Sequence, residues 1–281
     1  MMQLLVILSS VLIIQARMVL DKTTCDGVII DNQIYDLEVL KQDLDRPFLL
    51  ATDYSRNTVY FSYSLNLQDD SFKSAYINLN TKEFGNIDVE NGFAQSVDQK
   101  THDVYIGGGD GIYKYDEKSK KSQFFGAKND SIWAVYYKDV VYFSDFPQQF
   151  LYSIIDGETV RVKDFEDTKV EHFIIDNDDV FFYTNYTGLY SQKKGTKDAV
   201  LYKEFPQGGV RGITMDMNGK VYVCQQDGIY SVEKDSVTLK KLVDLDDGFG
   251  VAFDNENNII YSDATNVNRL KPNKQKSCSL N

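Results

Sequence analysis

The stretch Asn57-Thr58-Val59-Tyr60-Phe61-Ser62 decides the fold, because the chain repeats its pattern of turn residue, β-branched residue and aromatic residue. The later copies are His102-Asp103-Val104-Tyr105-Ile106-Gly107, Lys138-Asp139-Val140-Val141-Tyr142-Phe143-Ser144, Asp178-Asp179-Val180-Phe181-Phe182-Tyr183, Asn218-Gly219-Lys220-Val221-Tyr222-Val223 and Asn257-Asn258-Ile259-Ile260-Tyr261-Ser262. Tyr60 and its counterparts are separated by 45, 37, 40, 40 and 38 residues along the chain. A period of this length indicates a repeat architecture.

Other short apolar runs flank each copy. A run such as Gly212-Ile213-Thr214-Met215-Asp216 precedes it, a run such as Asp227-Gly228-Ile229-Tyr230-Ser231 follows it, and most units have a fourth run. Four β-branched and aromatic strands joined by Asn, Asp and Gly turns are typical of a propeller blade. No segment shows a sustained 3.6-residue apolar period. The sequence therefore predicts an all-β, six-bladed β-propeller with four-stranded blades.

The last unit lacks a fourth run, since it ends near Pro272. The N-terminal runs Gly27-Val28-Ile29-Ile30 and Ile34-Tyr35-Asp36-Leu37-Glu38-Val39-Leu40 can supply the missing strand. Pairing the two ends of the chain closes the ring and removes an exposed edge. We expect a single propeller domain over residues 25–278.

Ring closure also brings Cys25 near Cys278, at opposite ends of that domain. A disulfide between them fits an oxidising compartment, and two free thiols are the alternative. Cys224 lies in an apolar run, so we expect a buried free thiol there.

Residues 1–17 are predicted to be a signal peptide, because the apolar run from Met1 to Ala16 is too short to span a bilayer comfortably. No Lys or Arg precedes this run, which leaves a buried strand or an uncleaved anchor as alternatives. Asn129-Asp130-Ser131 and Asn185-Tyr186-Thr187 are glycosylation sequons. Together these features predict a secreted, extracellular glycoprotein.

Charge and motif content narrow the function classes. The 281 residues have a net charge of −12, which argues against nucleic acid and anionic membranes as partners; we expect a monomer. The two histidines, His102 and His172, and the lack of Cys-x-x-Cys and Gly-x-Ser-x-Gly patterns predict no catalytic residues, no required cofactor and no metal site. Calcium in the Asp-rich turns 176–179 or 244–247 is the alternative.

A ligand site is predicted where the innermost strands begin, because these positions converge on one mouth of the central channel. The candidates there are Arg46, Phe48, Phe93, Gln95, Trp133, His172, Arg211 and Phe249. Aromatic faces stack on planar rings, and arginine offers a planar fork to carboxylates. The predicted ligand is flat, aromatic and anionic; a channel simply filled by these side chains is the alternative.

Several stretches resemble the ommochrome-binding proteins of moths and butterflies over nearly the whole mature chain. They are Cys25-Asp26-Gly27-Val28-Ile29, Asn91-Gly92-Phe93-Ala94-Gln95-Ser96-Val97-Asp98, Tyr105-Ile106-Gly107-Gly108, residues 187–198 and Val251-Ala252-Phe253-Asp254-Asn255. The resemblance implies a haemolymph protein that binds ommochromes, the tryptophan-derived phenoxazinone pigments such as ommatins, for transport or storage. It supplies no residue-level site motif.

Two other functions remain open at this stage. A calcium-dependent lactonase or hydrolase on a six-bladed propeller would need carboxylate and amide oxygens in the channel, and the inner positions offer only Glu171 and Gln95. A protein-interaction propeller would use an exposed blade surface and would have no chromophore.

Overall fold

The computed structural model describes residues 27–65, 71–205 and 209–275, and it shows six antiparallel sheets arranged in a ring. The first blade comprises β3 (Phe48–Asp53), β4 (Thr58–Ser64), β5 (Phe72–Asn78) and β6 (Phe84–Asn86). The second comprises β7 (Ala94–Val97), β8 (Val104–Gly107), β9 (Ile112–Asp116) and β10 (Lys121–Gly126). The third comprises β11 (Ser131–Tyr137), β12 (Val141–Phe146), β13 (Leu151–Ile155) and β14 (Glu158–Arg161).

The remaining blades follow the same order. The fourth comprises β15 (Phe173–Ile175), β16 (Val180–Asn185), β17 (Gly188–Lys193) and β18 (Ala199–Glu204), after the short 3₁₀ helix Lys163–Phe165. The fifth comprises β19 (Gly212–Met215), β20 (Val221–Gln225), β21 (Gly228–Glu233) and β22 (Thr238–Asp244). The sixth comprises β23 (Gly250–Phe253), β24 (Ile259–Ser262), β25 (Val267–Pro272), β2 (Gln33–Lys41) and β1 (Val28–Ile30). The predicted six-bladed β-propeller is confirmed.

Both ends of the described chain meet in the sixth blade. The strand β2 pairs antiparallel with β25, and Leu37 lies opposite Leu270. A two-residue turn, in which Asp31 and Asn32 both have positive φ, adds β1 as a fifth, outermost strand. Ring closure by the N-terminal segment therefore occurs as predicted. Cys25, Cys278 and the predicted signal peptide lie outside the described residues.

A buried ion pair reinforces this closure. The Arg269 guanidinium on β25 donates to Glu38 Oε2 on β2 at 2.7 Å and to Asp254 Oδ2 at 3.0 Å. Only 5 % of the Arg269 side chain is exposed. The charge thus lies between two carboxylates, as a buried cation requires.

Neighbouring blades share their apolar cores. Val59 and Phe61 of the first blade, for example, pack with Ala252, Ile260 and Val267 of the sixth. The second strands are buried on both faces, which explains why their sequences are continuous apolar runs rather than alternating ones. The innermost strands β3, β7, β11, β15, β19 and β23 contact one another around the channel.

Buried aspartates terminate the innermost strands in five blades. They are Asp53, Asp98, Asp176, Asp216 and Asp254. Each accepts a hydrogen bond from a backbone N–H of the turn that follows, as in Lys100 N to Asp98 Oδ1 at 2.9 Å. Such Asx turns fix the first hairpin of these five blades. They account for the acidic residue that ends runs such as Gly212-Ile213-Thr214-Met215-Asp216 in the sequence.

Candidate functional site

We call the end of the channel where the innermost strands begin the entry mouth, and the opposite end the exit mouth. Aromatic rings cover the entry mouth and form one contiguous group, the aromatic cluster: Phe48, Phe72, Phe93, Trp133, Phe146 and Phe249. Neighbouring ring centroids lie between 4.5 Å, for Phe72 and Phe93, and 6.0 Å, for Phe48 and Phe72. Tilted and edge-on contacts at these separations are favourable.

The cluster is buried at its centre and open at one side. Phe93 and Phe249 are 7 % and 8 % exposed, whereas Phe146 is 49 % exposed. Trp133 is half-buried and stacks on Phe146 with a 24° angle between the rings. Its Nε1–H has no acceptor among the described residues. The side of the cluster at Trp133 and Phe146 is therefore the part that offers a ring face to a ligand.

Of the two predicted arginines, Arg211 contacts the cluster, and Arg46 lies two residues before Phe48 in the chain. Arg211 lies over the ring of Phe249 at 4.3 Å, and it donates to Asp247 Oδ1 at 2.7 Å. Arg46 donates through Nε and Nη2 to the two oxygens of Asp45, at 2.9 and 3.2 Å. Both cations thus already have a carboxylate partner. These pairs are part-exposed and contribute little stability, so an anionic ligand can replace the partner at small cost.

Gln95 is held by hydrogen bonds within the protein. Its Nε2 donates to Leu49 O at 3.0 Å and to Phe93 O at 2.9 Å, and its Oε1 accepts from Ser74 Oγ at 3.2 Å. Leu49 and Ser74 belong to the first blade, and Gln95 and Phe93 to the second. The amide therefore joins two blades, as a buried polar group must find partners inside the protein.

His172 lies where the aromatic cluster meets the channel. It is 9 % exposed, and its ring stacks on that of Trp133 at an angle of 29°, with centroids 6.2 Å apart. Burial lowers the pKa of His172 to about 4, so the imidazole is neutral at physiological pH. Its Nδ1 has no hydrogen-bond partner among the described residues. The ring is available as a neutral hydrogen-bonding group.

A cavity of about 540 Å³ occupies the channel on the exit side of His172. The innermost strands of the first five blades line it, together with the turns at the exit mouth. Its volume lies within the range of about 300–1,000 Å³ of small-molecule sites. Of the eight predicted site residues, Gln95 and His172 line this cavity, and the other six lie at the entry mouth.

Sequence reasoning missed two members of the aromatic cluster. Phe72 and Phe146 lie at turns between second and third strands, on the same face of the propeller as the entry mouth. The prediction considered only the starts of the innermost strands. Strand order along each blade would have placed both turns on that face, because alternate turns of an antiparallel sheet share one end.

The structure also locates the sequons and Cys224. Asn129 is exposed, and Asn185 is half-buried with its Oδ1 accepting from Thr187 and Gly188. Cys224 is a buried free thiol, as predicted. No three His, Cys, Asp or Glu side chains within residues 27–65, 71–205 and 209–275 form a group that could hold a metal ion. Over the same residues, no helix is long and apolar enough to cross a membrane.

The fold and this geometry define a class of protein: a six-bladed β-propeller with a ligand-sized channel and an aromatic mouth. The chain belongs to the ommochrome-binding protein family. It is 31 % identical over 254 residues to an ommochrome-binding protein of Manduca sexta, covering 88 % of this chain and 91 % of the relative. No family model matches the chain.

Solved structures share the fold at low sequence identity. A gluconolactonase from Xanthomonas campestris superposes with a TM-score of 0.71 at 11 % identity, over 89 % of this chain and 96 % of that one. A luciferin-regenerating enzyme gives a TM-score of 0.66 at 12 % identity, over 85 % and 96 % of the two chains. At these identities the likeness concerns the architecture alone.

Proposed function

We propose that this protein is an extracellular binding protein for an ommochrome pigment, a planar, anionic phenoxazinone such as an ommatin, and that it serves in pigment transport or storage. The family supports a binding function, since the Manduca sexta relative is named for ommochrome binding. The apolar N-terminal run and the two sequons support an extracellular location.

One observation favours the aromatic cluster as the place where the pigment binds. The half-buried Trp133 has a buried Nε1–H that no described residue accepts. A buried donor without a partner costs about 1–3 kcal/mol, which a ligand acceptor would recover. A phenoxazinone offers ring faces for stacking and carbonyl oxygens for this donor.

The proposed contacts divide by chemistry. Trp133 and Phe146 face the ring system, and the rings of Phe93, Phe48 and Phe249 support them from within the cluster. His172 supports the Trp133 ring from the channel side. The cations of Arg46 and Arg211 take the anionic groups of the pigment in exchange for Asp45 and Asp247. Gln95 is not among these contacts, because its amide joins two blades.

Absorbance titration with an ommatin tests this proposal. Trp133→Ala and Arg211→Ala, made separately, should each weaken binding by about tenfold, because stacking and a desolvated charge contact are each worth about 1–3 kcal/mol. Phe124→Ala and Arg161→Ala are matched controls on outermost strands and should bind like the wild type. Unchanged affinity in both mouth variants would remove the entry mouth as the site.

The lactonase alternative has support from the fold alone, through structural relatives at 11 % identity. Metal analysis of the purified protein, with a gluconolactone hydrolysis assay in calcium, separates the two functions. Pigment binding without hydrolysis is the expected result. A protein-interaction propeller would show neither pigment binding nor hydrolysis.

A further inference from the structure

The channel cavity is separate from the aromatic cluster. Two side chains lie between them. One is His172, which stacks on Trp133 of the cluster, and the other is Gln95, whose amide joins two blades. At its other end the cavity is bordered by Lys100, Asn177 and Met217, which are exposed residues of the exit mouth. A molecule can therefore reach the cavity from the exit mouth without displacing the rings of the entry mouth.

His172 is the polar side chain at the deep end of the cavity, and no hydrogen bond of its ring is found among the described residues. Buried polar groups are nearly always hydrogen-bonded in folded proteins. Since the imidazole is neutral at physiological pH, one of its ring nitrogens can accept a hydrogen bond. The deep end of the cavity thus lacks a donor for this ring.

The walls of the cavity are aromatic and apolar. The hydroxyl of Tyr136 donates to Ile175 O at 3.1 Å, and that of Tyr54 donates to Met215 O at 3.2 Å. Both hydroxyls are therefore satisfied by the protein, and the two rings border the cavity as apolar surface. Ile213 continues this apolar wall.

The rim carries two lysines. Lys100 is exposed, and no ion pair is found for it among the described residues. Lys138 donates to the carbonyl oxygen of Asp176 at 2.6 Å, so its partner in this contact is a neutral group and not a carboxylate. Nearby, the buried carboxylates of Asp98 and Asp216 accept from their own turns, and Asp139 is exposed.

We propose that the channel cavity is a second binding site, entered from the exit mouth, for a slender aromatic carboxylate. A hydrogen-bond donor on the ring of this ligand reaches the imidazole of His172, its body lies between Tyr54 and Tyr136, and its carboxylate lies at Lys100 and Lys138. The site is independent of the pigment at the entry mouth, and so the proposal does not rest on pigment binding.

Indole-3-butyrate is a suitable probe, because it has a ring N–H at one end and a carboxylate at the other. Calorimetric titration should give one site per chain. The N-methyl analogue, which lacks the donor, should bind about tenfold more weakly. The corresponding indole alcohol, which lacks the charge, should also bind about tenfold more weakly, and only the acid should lose affinity in high salt.

Variants locate the bound probe. Lys100→Glu should weaken binding of indole-3-butyrate by at least about tenfold, whereas Lys128→Glu, an exposed change at the entry mouth, should not. Thr214→Trp should block the cavity, with Thr214→Ser as the matched control, and thermal unfolding checks that both variants fold.

Three results would overturn the proposal. They are no saturable binding, which would leave ordered water as the partner of His172, binding that survives both Lys100→Glu and a folded Thr214→Trp, and displacement of the probe by an ommatin, which would show that the two sites are not independent.

Discussion

The imidazole of His172 stacks on the indole of Trp133, with centroids 6.2 Å apart and a 29° angle between the rings. This pair lies at the boundary between the aromatic cluster and the channel cavity. The enclosed nitrogens Nε1 of Trp133 and Nδ1 of His172 have no partner among the described residues. This pair therefore divides the channel into two parts, and each of its two rings has a nitrogen that could still form a hydrogen bond.

The buried imidazole should make stability depend on pH. Its pKa is about 4 in the folded protein against a usual 6.5, so the unfolded chain binds the proton more tightly. This stability is complete above about pH 6.5 and is lost as the pH falls toward 4, by on the order of 3 kcal/mol. Urea unfolding at several pH values should show a shallower acid decline in His172→Phe than in the wild type. Equal declines would contradict the assignment.

Gln95 should matter for stability rather than for pigment affinity. Gln95→Met keeps the side-chain length but removes both donors to Leu49 O and Phe93 O, so it should cost about 1–3 kcal/mol of unfolding free energy. Gln99→Met removes a comparable bond to Thr52 O from an exposed residue and should cost less. A stable Gln95→Met variant with weakened ommatin binding would instead place Gln95 in the site.

Arg269 should be required for ring closure. Arg269→Met leaves the buried Asp254 without its cation and removes one of three cations at Glu38, which should cost about 3–5 kcal/mol in urea unfolding. Lys271→Met is the matched control, because Lys271 contacts the same Glu38 from an exposed position and contributes at most about 1 kcal/mol. Similar effects of the two changes would contradict this account of closure.

The same bridge predicts a second acid response. Burial alone would raise the pKa of Glu38, but hydrogen bonds and charges from Lys82 and Arg269 lower it to about 2 from a usual 4.5. The stability that Glu38 contributes is therefore complete above about pH 4.5 and is lost as the pH falls toward 2. Glu38→Gln should show a shallower decline than the wild type over this range.

Thiol chemistry tests the prediction for the chain ends. Burial raises the pKa of Cys224 to about 12, so this thiol should not react with iodoacetamide at pH 8 until the protein unfolds. Peptide mapping without reduction should find Cys25 bonded to Cys278. Labelling of either one in the native, unreduced protein would contradict the predicted disulfide.

The repeat predicted the architecture well, because each blade encodes its own strands and turns. Tyr60 and its five counterparts all lie on second strands, and the N-terminal segment closes the sixth blade. Side-chain pairing could not be predicted in the same way. The amide of Gln95 and the carboxylate of Asp247 find partners that only the folded positions bring within reach.

The aromatic cluster could be predicted in part from the repeat. Phe48, Phe93, Trp133 and Phe249 come together because the starts of innermost strands must converge on one mouth. The cavity depends instead on the width of the channel, which follows from packing between blades and has no local signal. Tyr54 and Tyr136 therefore gave no indication of a site in the sequence.

The visible spectrum of the protein purified from its native tissue tests pigment binding most directly. We expect a yellow-to-red chromophore that co-purifies at about one per chain, is released on unfolding, and has the absorbance of an ommatin. A colourless protein that also fails to bind an added ommatin saturably would contradict the proposed function.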